Sequence, residues 1–214
     1  SRLFGSLEWF NAKSTDLLLN VPQAWATGVS TLWTNYGEMR NQGFELTLGW
    51  HDHIGDFDYN VSANLSTLRN KVLKMGDAYV QEGYTRTEVG RSISDFYLLK
   101  TDGIFQSMDE VYNNTTTLED GTVKVIQPNA QPGDIRYVDV NGDGQIDDTD
   151  KDWCGSPMPK FELGFNVSLA WKNFDFNMLW AGKFGNKIYN QVRANTLNFN
   201  VDNIPADVRP WTWD

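Results

Sequence analysis

The chain has 214 residues, a net charge of −10 and a single cysteine, Cys154. An acidic chain does not suit the phosphate backbone of nucleic acid, and the same charge argues against docking on anionic lipid heads. One cysteine excludes an internal disulfide and a cysteine-based zinc site, and no apolar run is long enough for a transmembrane helix.

The first 42 residues predict a strand followed by a long irregular segment. Residues 2–10 indicate a strand, although Phe4 and Phe10 interrupt its alternation of apolar and polar residues. Residues 11–42 are rich in Gly, Asn, Asp and Thr, which is typical of loops. Trp25, Trp33 and Tyr36 in this segment have rings on which sugars could stack, but loop packing or a barrel rim is the favoured explanation.

A hairpin is predicted over residues 42–67. Apolar residues alternate with polar or small ones from Phe44 to Trp50, and the alternation returns from Phe57 to Leu65 after a short connection. This period of two is the signature of strands with two different faces. His51 and His53 fall in the connection and are interpreted as turn residues, because no third zinc ligand lies near them in the sequence.

Residues 68–160 form a long polar region, which we predict to be extracellular. A segment of this length is too long for one structureless loop, so we expect additional strands near residues 94–100 and 134–138. Within it, oxygen-bearing side chains recur from residue 139 to residue 150 in the ligand order of an EF-hand loop. The predicted ligands are Asp139, Asn141, Asp143, Gln145 through its carbonyl, Asp147 and Asp150.

This spacing predicts a structural Ca²⁺ site, with Mg²⁺ as a second possibility. Gly144, at position 6 of the loop, allows the sharp turn, and clustered carboxylates repel one another unless a cation lies among them. Asp150 stands where an EF-hand usually has Glu, as in dockerin-like loops, and flanking helices are not apparent. The alternative is an Asn/Gly/Asp turn that binds no metal.

The most regular hairpin is predicted over residues 160–184. Phe161, Leu163, Phe165, Val167, Leu169 and Trp171 occupy one face of its first strand. A strand of about 11 residues at ~3.3 Å each, tilted by ~40°, reaches a height of roughly 27 Å, which matches the apolar band of outer-membrane barrels. Aromatic residues beside both hairpin turns suit the aromatic girdle of such a barrel. The alternative is a soluble β-sandwich whose apolar face packs on a second sheet.

Several short segments occur in a recognisable order along the chain. They are TDLLLNVP (15–22), NYGEMRNQGFE (35–45), VG (89–90), FY (96–97), KTDGIFQ (100–106), PGDIRY (132–137), DVNGDG (139–144), GSPMP (155–159) and GNKIYN (185–190). As an ordered set, they resemble the C-terminal part of SusC-like (RagA-like) TonB-dependent transporters of Bacteroidota. The resemblance implies that residues 1–214 are a fragment of a 22-stranded antiparallel transmembrane β-barrel in the bacterial outer membrane. The family's plug and TonB-contacting region are missing from this chain.

The resemblance also implies a function. Such transporters import oligosaccharides or peptides with energy from TonB, under a SusD-like surface lipoprotein, so lipid, lid protein, TonB and substrate are the expected partners. No catalytic motif is present, and we expect no enzyme activity. The competing hypothesis is a secreted or surface all-β carbohydrate-binding or adhesin module stabilised by Ca²⁺.

Overall fold

The computed structural model describes residues 2–22, 28, 31–76, 79–197, 208–209 and 211–212. The chain divides into two compact units, Ser1–Phe96 with Gly155–Lys187, and Tyr97–Cys154 with Ile188–Asp214. Among the described residues, no helix is long and apolar enough to cross a membrane.

The elements in chain order are β1 (Leu3–Pro22), β2 (Thr31–Ile54), β3 (Phe57–Thr67), β4 (Arg69–Lys74), β5 (Tyr79–Glu82), β6 (Thr85–Glu88), β7 (Asp95–Leu99), β8 (Thr101–Ile104), α1 (Met108–Asn113), β9 (Thr115–Thr117), β10 (Val123–Val125), β11 (Ile135–Tyr137), a 3-10 helix (Asp148–Asp150), β12 (Lys151–Gly155), β13 (Phe161–Trp171), β14 (Phe174–Phe184) and α2 (Gln191–Thr196).

The first unit is built on one antiparallel sheet. Its hydrogen-bonded strand order is β1, β2, β3, β13 and β14, and β4 pairs with the part of β2 that extends beyond β3. The described strands form an open sheet with β1 and β14 at its edges. The predicted class, antiparallel all-β, is confirmed.

Two strands are much longer than the sequence pattern predicted. β1 has 20 residues and β2 has 24, and the two remain paired from Leu3↔Trp50 to Pro22↔Thr31. The prediction of loop structure over residues 11–42 was therefore wrong for the described residues. Polar side chains did not prevent strand pairing here, because backbone hydrogen bonds across the two strands satisfy both chains. An irregularity in β1 between Ser14 and Leu17, with Asp16 at φ 57°, absorbs extra residues as a β-bulge does.

The aromatic residues suggested as stacking rings have different positions in this ribbon. Trp33 and Tyr36 lie exposed in β2, and the Lys74 amine is 4.0 Å from the centroid of the Tyr36 ring. Trp25 lies outside the described residues. A ring already covered by a lysine supports the packing explanation for Tyr36.

Both predicted hairpins are present, and each closes through two residues. The last pair of β2 and β3 is Ile54↔Phe57, and Gly55 and Asp56 form the turn between them. The last pair of β13 and β14 is Trp171↔Phe174, and residues 172–173 form that turn. Gly55 and Lys172 adopt left-handed φ values of 62° and 53°, as tight hairpin turns require. The first hairpin begins at Thr31 instead of near residue 42. His51 and His53 consequently lie within β2 and not in its turn.

The second unit consists of short strands and loops. β11 pairs with β8, β10 with β9, and β12 with β7, which confirms the strands expected near residues 94–100 and 134–138. Phe105 and Val111 are fully buried. Ser107 caps α1 by accepting a hydrogen bond from the Glu110 amide.

Candidate functional site

The outer face of the main sheet carries apolar rows that run across the strands. Residues opposite each other in the register share a face, so Leu7, Leu46, Leu65 and Leu163 form one such row. Further rows toward the hairpin turns contain Leu48, Ala63, Phe165 and Trp180, and then Leu3, Trp50, Val61, Val167 and Met178.

Aromatic rows bound this apolar band at both ends. At the turn end, Phe57, Trp171 and Phe174 lie side by side. At the other end are Trp9, Phe44, Phe161 and Phe184. Thr67 lies between Phe44 and Phe161: it is the cross-strand partner of Phe161, and its hydroxyl oxygen accepts a hydrogen bond from the Phe44 amide. Phe161 and Trp171 are ten positions apart on β13, which gives roughly 25 Å of height at a tilt of ~40°.

Exposure of this band distinguishes a membrane wall from a soluble sandwich. Leu7 is 72% exposed, Trp180 64% and Phe165 40%, whereas a second packed sheet would cover them. Among the described residues, the buried apolar side chains are limited to Val72, Met75, Phe105 and Val111. Among the residues that the structure describes, the outer face is therefore an apolar surface without a protein partner, of the kind that lipid covers.

The inner face of the same sheet is polar. One row contains His51, Asn60, Ser168 and Asn177, and the next contains His53, Asp58, Ala170 and Asp175. Together with Arg2, these residues line a cavity of about 510 Å³ at the turn end of the sheet. Arg2 also forms a 3.0 Å ion pair with Asp52. Such a face suits a water-filled or protein-filled lumen.

Two phenylalanines on this inner face explain the apparent break in alternation within β1. Phe4 lies over Gly49 and Phe10 over Gly43, each on its cross-strand partner. Aromatic rings that cover glycines of a neighbouring strand fill the space left by the missing side chains. Phe4 and Phe10 therefore do not change the alternation of inward and outward side chains along β1, although they are apolar residues on the inner face. The sequence signal for their position was a glycine opposite each aromatic residue.

The 139–150 loop in the second unit is folded by its own acidic side chains. Asp139 accepts hydrogen bonds from the amides of Gly142 (2.8 Å) and Gly144 (2.9 Å). Asp143 accepts one from the Gln145 amide, and Asn141 accepts one from the Asp143 amide. The carboxylates and the Asn141 amide oxygen therefore serve as turn-forming acceptors along the loop.

Asp150 closes this loop from its far end. Its side chain is fully buried, and its two oxygens accept hydrogen bonds from the amides of Val140 and Asp147, both 2.9 Å. Hydrogen bonds from the hydroxyl and amide of Thr149 lower the pKa of Asp147. Lys124 donates to the Asp143 carbonyl at 3.3 Å.

The fit of this loop to a cation is incomplete. The predicted ligands lie on one loop in the expected order, but the described residues include no group of three or more His, Cys, Asp or Glu side chains placed to hold a metal ion. Backbone amides already donate hydrogen bonds to the side-chain oxygens of five predicted ligands, which are Asp139, Asn141, Asp143, Asp147 and Asp150. Carboxylate oxygens have further lone pairs, so the amide bonds alone do not exclude a bound ion.

Comparison with known proteins finds that the chain is similar to parts of TonB-dependent receptors. It is 32% identical to TonB-dependent receptor P26 of Formosa agariphila over 93% of this chain and 20% of the relative. It is 24% identical to TonB-dependent receptor SusC of Bacteroides thetaiotaomicron over 95% of this chain and 20% of that protein. No family model matches the sequence.

Solved structures agree on the fold. The structure of the RagAB peptide transporter matches with a TM-score of 0.67 and 21% identity, covering 91% of this chain and 20% of that chain. The RagAB importer in its open-open state matches with the same TM-score at 20% identity. The chain thus spans about a fifth of the proteins that it matches.

These relationships confirm the resemblance predicted from the sequence. The chain is similar over nearly its whole length to part of the SusC-like TonB-dependent receptors, which are outer-membrane β-barrel proteins and not enzymes. The predicted location and the predicted lack of a catalytic role agree with this relationship.

Proposed function

We propose that this relative of the SusC-like TonB-dependent receptors forms part of the barrel wall of a transporter that imports oligosaccharides or peptides across the bacterial outer membrane. The observation that carries the proposal is the sheet with two unlike faces, an exposed apolar band between two aromatic rows outside and polar rows inside. Energy would come from TonB, and a SusD-like lipoprotein would cover the outer opening.

Orientation follows from the lengths of the connections. Both hairpin turns have two residues, as periplasmic turns of outer-membrane barrels do, and the long segments leave from the opposite end of the sheet. The β1–β2 ribbon and the 139–150 loop would then face the outside of the cell, where substrate and lid protein meet the barrel.

The test is uptake by cells with and without the complete receptor. We expect deletion of its gene, or of TonB, to abolish uptake of one class of fluorescent substrate, either oligosaccharides or peptides. We also expect a SusD-like lipoprotein to co-purify with the receptor. A receptor recovered from the culture medium as a soluble monomer would support the alternative, a secreted carbohydrate-binding or adhesin module.

We further propose that the 139–150 loop binds Ca²⁺ as a structural ion, through Asp139, Asn141, Asp143, the Gln145 carbonyl, Asp147 and Asp150. The ligand spacing and the complete burial of the Asp150 side chain support this proposal. The ion would hold the loop in shape and would take no part in chemistry.

Asp143→Ala is expected to remove one equivalent of Ca²⁺ per receptor and to make residues 134–155 more sensitive to protease. Asp148→Ala is the matched control, because Asp148 lies outside the predicted ligands and its side chain is 91% exposed beside Lys151. The measurement is elemental analysis of the purified receptor. Equal Ca²⁺ in wild type and Asp143→Ala would identify the loop as a metal-free turn.

A further inference from the structure

Three basic residues stand side by side on the outer face of the main sheet. Lys13 on β1 is the cross-strand partner of Arg40 on β2, and Arg40 is the partner of Lys71 on β4. Lys13 lies four residues from Trp9 and Arg40 four residues from Phe44, so all three point to the same face as these aromatics. A fourth cation, Arg69, pairs with Gln42 in the row between them.

Only one residue of this cluster is neutralised by an ion pair among the described residues. Lys13 forms a 2.8 Å ion pair with Glu38. Within the part of the chain that the structure describes, Arg40, Arg69 and Lys71 have no ion-pair partner, and Nε of Arg40 is buried without a hydrogen-bond acceptor. Like charges directly opposite each other destabilise a sheet. The Lys13–Glu38 ion pair offsets this repulsion at one residue, and an external anion would offset it at the others.

The cluster stands immediately beyond the aromatic row on the side away from the hairpin turns. Four residues at ~3.3 Å, tilted by ~40°, place the Lys13–Arg40–Lys71 row about 10 Å above Trp9 and Phe44, within reach of a headgroup layer. Arg69 and Lys160 share with Trp9 and Phe44 a groove of about 640 Å³. Trp9 and Phe44 form the apolar wall of this groove, and Arg69 and Lys160 form its cationic rim. This arrangement matches a molecule whose acyl chains contact the wall and whose phosphate groups contact the rim.

We propose that this cluster binds the phosphate groups of an outer-leaflet glycolipid of the lipid A type, with the acyl chains lying against Trp9 and Phe44. The inference rests on the proposed outer-membrane orientation. Guanidinium and ammonium groups form charge-assisted hydrogen bonds with phosphate, and Arg does so in a bidentate manner. The net charge of −10, from which we expected no affinity for anionic lipid heads, hides this local concentration of positive charge.

The main test compares lipid binding by purified complete receptor and by the double variant Arg40→Gln/Lys71→Gln. The probe is bisphosphorylated lipid A, titrated into receptor in mild detergent and counted by native mass spectrometry. We expect the double variant to bind at least about 10-fold more weakly. Lys183→Gln is the matched control, because Lys183 faces the inside beside the same aromatic row and is ion-paired with Glu162 at 3.0 Å.

Two further probes identify the source of the phosphate. Dephosphorylated lipid A should bind wild type at least about 10-fold more weakly, and inorganic phosphate at millimolar concentration should not displace lipid A. Equal binding of the dephosphorylated lipid would overturn the role of phosphate. Displacement by inorganic phosphate would assign the cluster to a soluble anion and overturn the lipid assignment.

The failure of this inference is separable from failure of the transport proposal. Wild-type receptor absent from the outer-membrane fraction would contradict the proposed location. Receptor present there, with equal lipid A binding by wild type and the double variant, would contradict only the lipid site. Should the double variant fail to assemble, Arg69→Gln/Lys160→Gln removes charge from the groove rim, and we expect the same loss of lipid binding.

Discussion

Glycines on the inner face show how single residues define the packing of the sheet. A Cβ added at Gly43 would lie 1.9 Å from the backbone carbonyl oxygen of Thr67, whereas one added at Gly49 would meet the ring of Phe4 at 2.1 Å. A backbone carbonyl in a paired strand cannot move aside, but a ring at the edge strand can rotate. Both positions lack room for a Cβ, but the obstacle is the backbone at Gly43 and a side chain at Gly49.

We expect Gly43→Ala to destabilise the receptor by ~1–3 kcal/mol, the usual cost of overpacking. Gly49→Ala should cost less, and the additional change Phe4→Ala should recover part of that cost because it removes the clashing ring. The measurement is urea unfolding in detergent micelles, followed by heat-modifiable gel mobility. Equal destabilisation by the two glycine variants would contradict the difference between backbone and side-chain contacts.

Glu38 provides a residue-scale prediction on pH. The hydrogen bond from Lys13 lowers the pKa of Glu38, and the positive charges of Lys13 and Lys74 act in the same direction. A lowered folded-state pKa stabilises the fold at pH above the ordinary carboxyl value, and this stabilisation is lost as pH falls through the lowered pKa. Exposure to solvent keeps the effect small.

Lys13→Met should raise the pKa of Glu38 toward its ordinary value, because it removes both the donor and the charge. The carboxyl ¹³C shift of Glu38, assigned with a Glu38→Gln variant, gives the titration directly. Ser14→Ala on the next position of β1 is the control and should leave the titration unchanged. An unaltered titration in Lys13→Met would disprove the ion pair in solution.

Among the elements, β13 shows most completely that the sheet has one apolar and one polar face. It lies between β3 and β14 over its whole length, and every residue from Phe161 to Trp171 has a partner on both sides. Side chains of its odd-numbered residues point outward, and those of its even-numbered residues point inward. Substitutions at neighbouring positions of β13 therefore compare the apolar outer face with the polar inner face at nearly the same height in the sheet.

Val167→Arg is expected to cost ~2–4 kcal/mol, because it places a charge near the middle of the apolar band. Asn166→Arg, one position away on the polar inner face, should cost much less. The measurement is the folded fraction in outer membranes, judged by heat-modifiable mobility. Comparable losses for the two variants would indicate that both faces are packed by protein, as in a sandwich.

At the scale of the whole molecule, the main sheet is incomplete by itself. β1 and β14 leave open edges among the described strands, and the apolar outer face has no covering layer. Open edges invite further strand pairing. Under the transport proposal, the sheet depends on lipid for one face and on the remaining barrel strands for its edges.

Lipid contact can be tested on a cysteine-free background with a fluorescent label. A label on Phe165→Cys should be quenched by lipids that carry bromine on their acyl chains, because Phe165 lies on the exposed apolar face. The same label on Asn166→Cys should not be quenched. Quenching of both positions, or of neither, would contradict the assignment of faces.

The sequence predicted much of this architecture correctly. Alternation in Phe44–Trp50 and Phe161–Trp171 depends only on the strand period of two, so both hairpins and their outer faces were evident. Residues 11–42 were mispredicted because polar composition indicates a loop, whereas residues 11–22 pair with residues 31–42 of the same segment to form a ribbon. The strand register that places Lys13, Arg40 and Lys71 side by side could not be predicted either, because the clustering of their charges depends on which strands become neighbours.

The sequence alone determined that this protein is all-β, which side chains share a face and which family it resembles, because these properties follow from local order along the chain. Only the tertiary structure decided which rows form across strands: the two aromatic rows, the rings over Gly43 and Gly49, and the basic cluster above Trp9. It also showed the acceptors of the 139–150 loop already bonded to backbone amides. The rows across strands require long-range register, which loop closure and backbone hydrogen bonding select and no local pattern encodes.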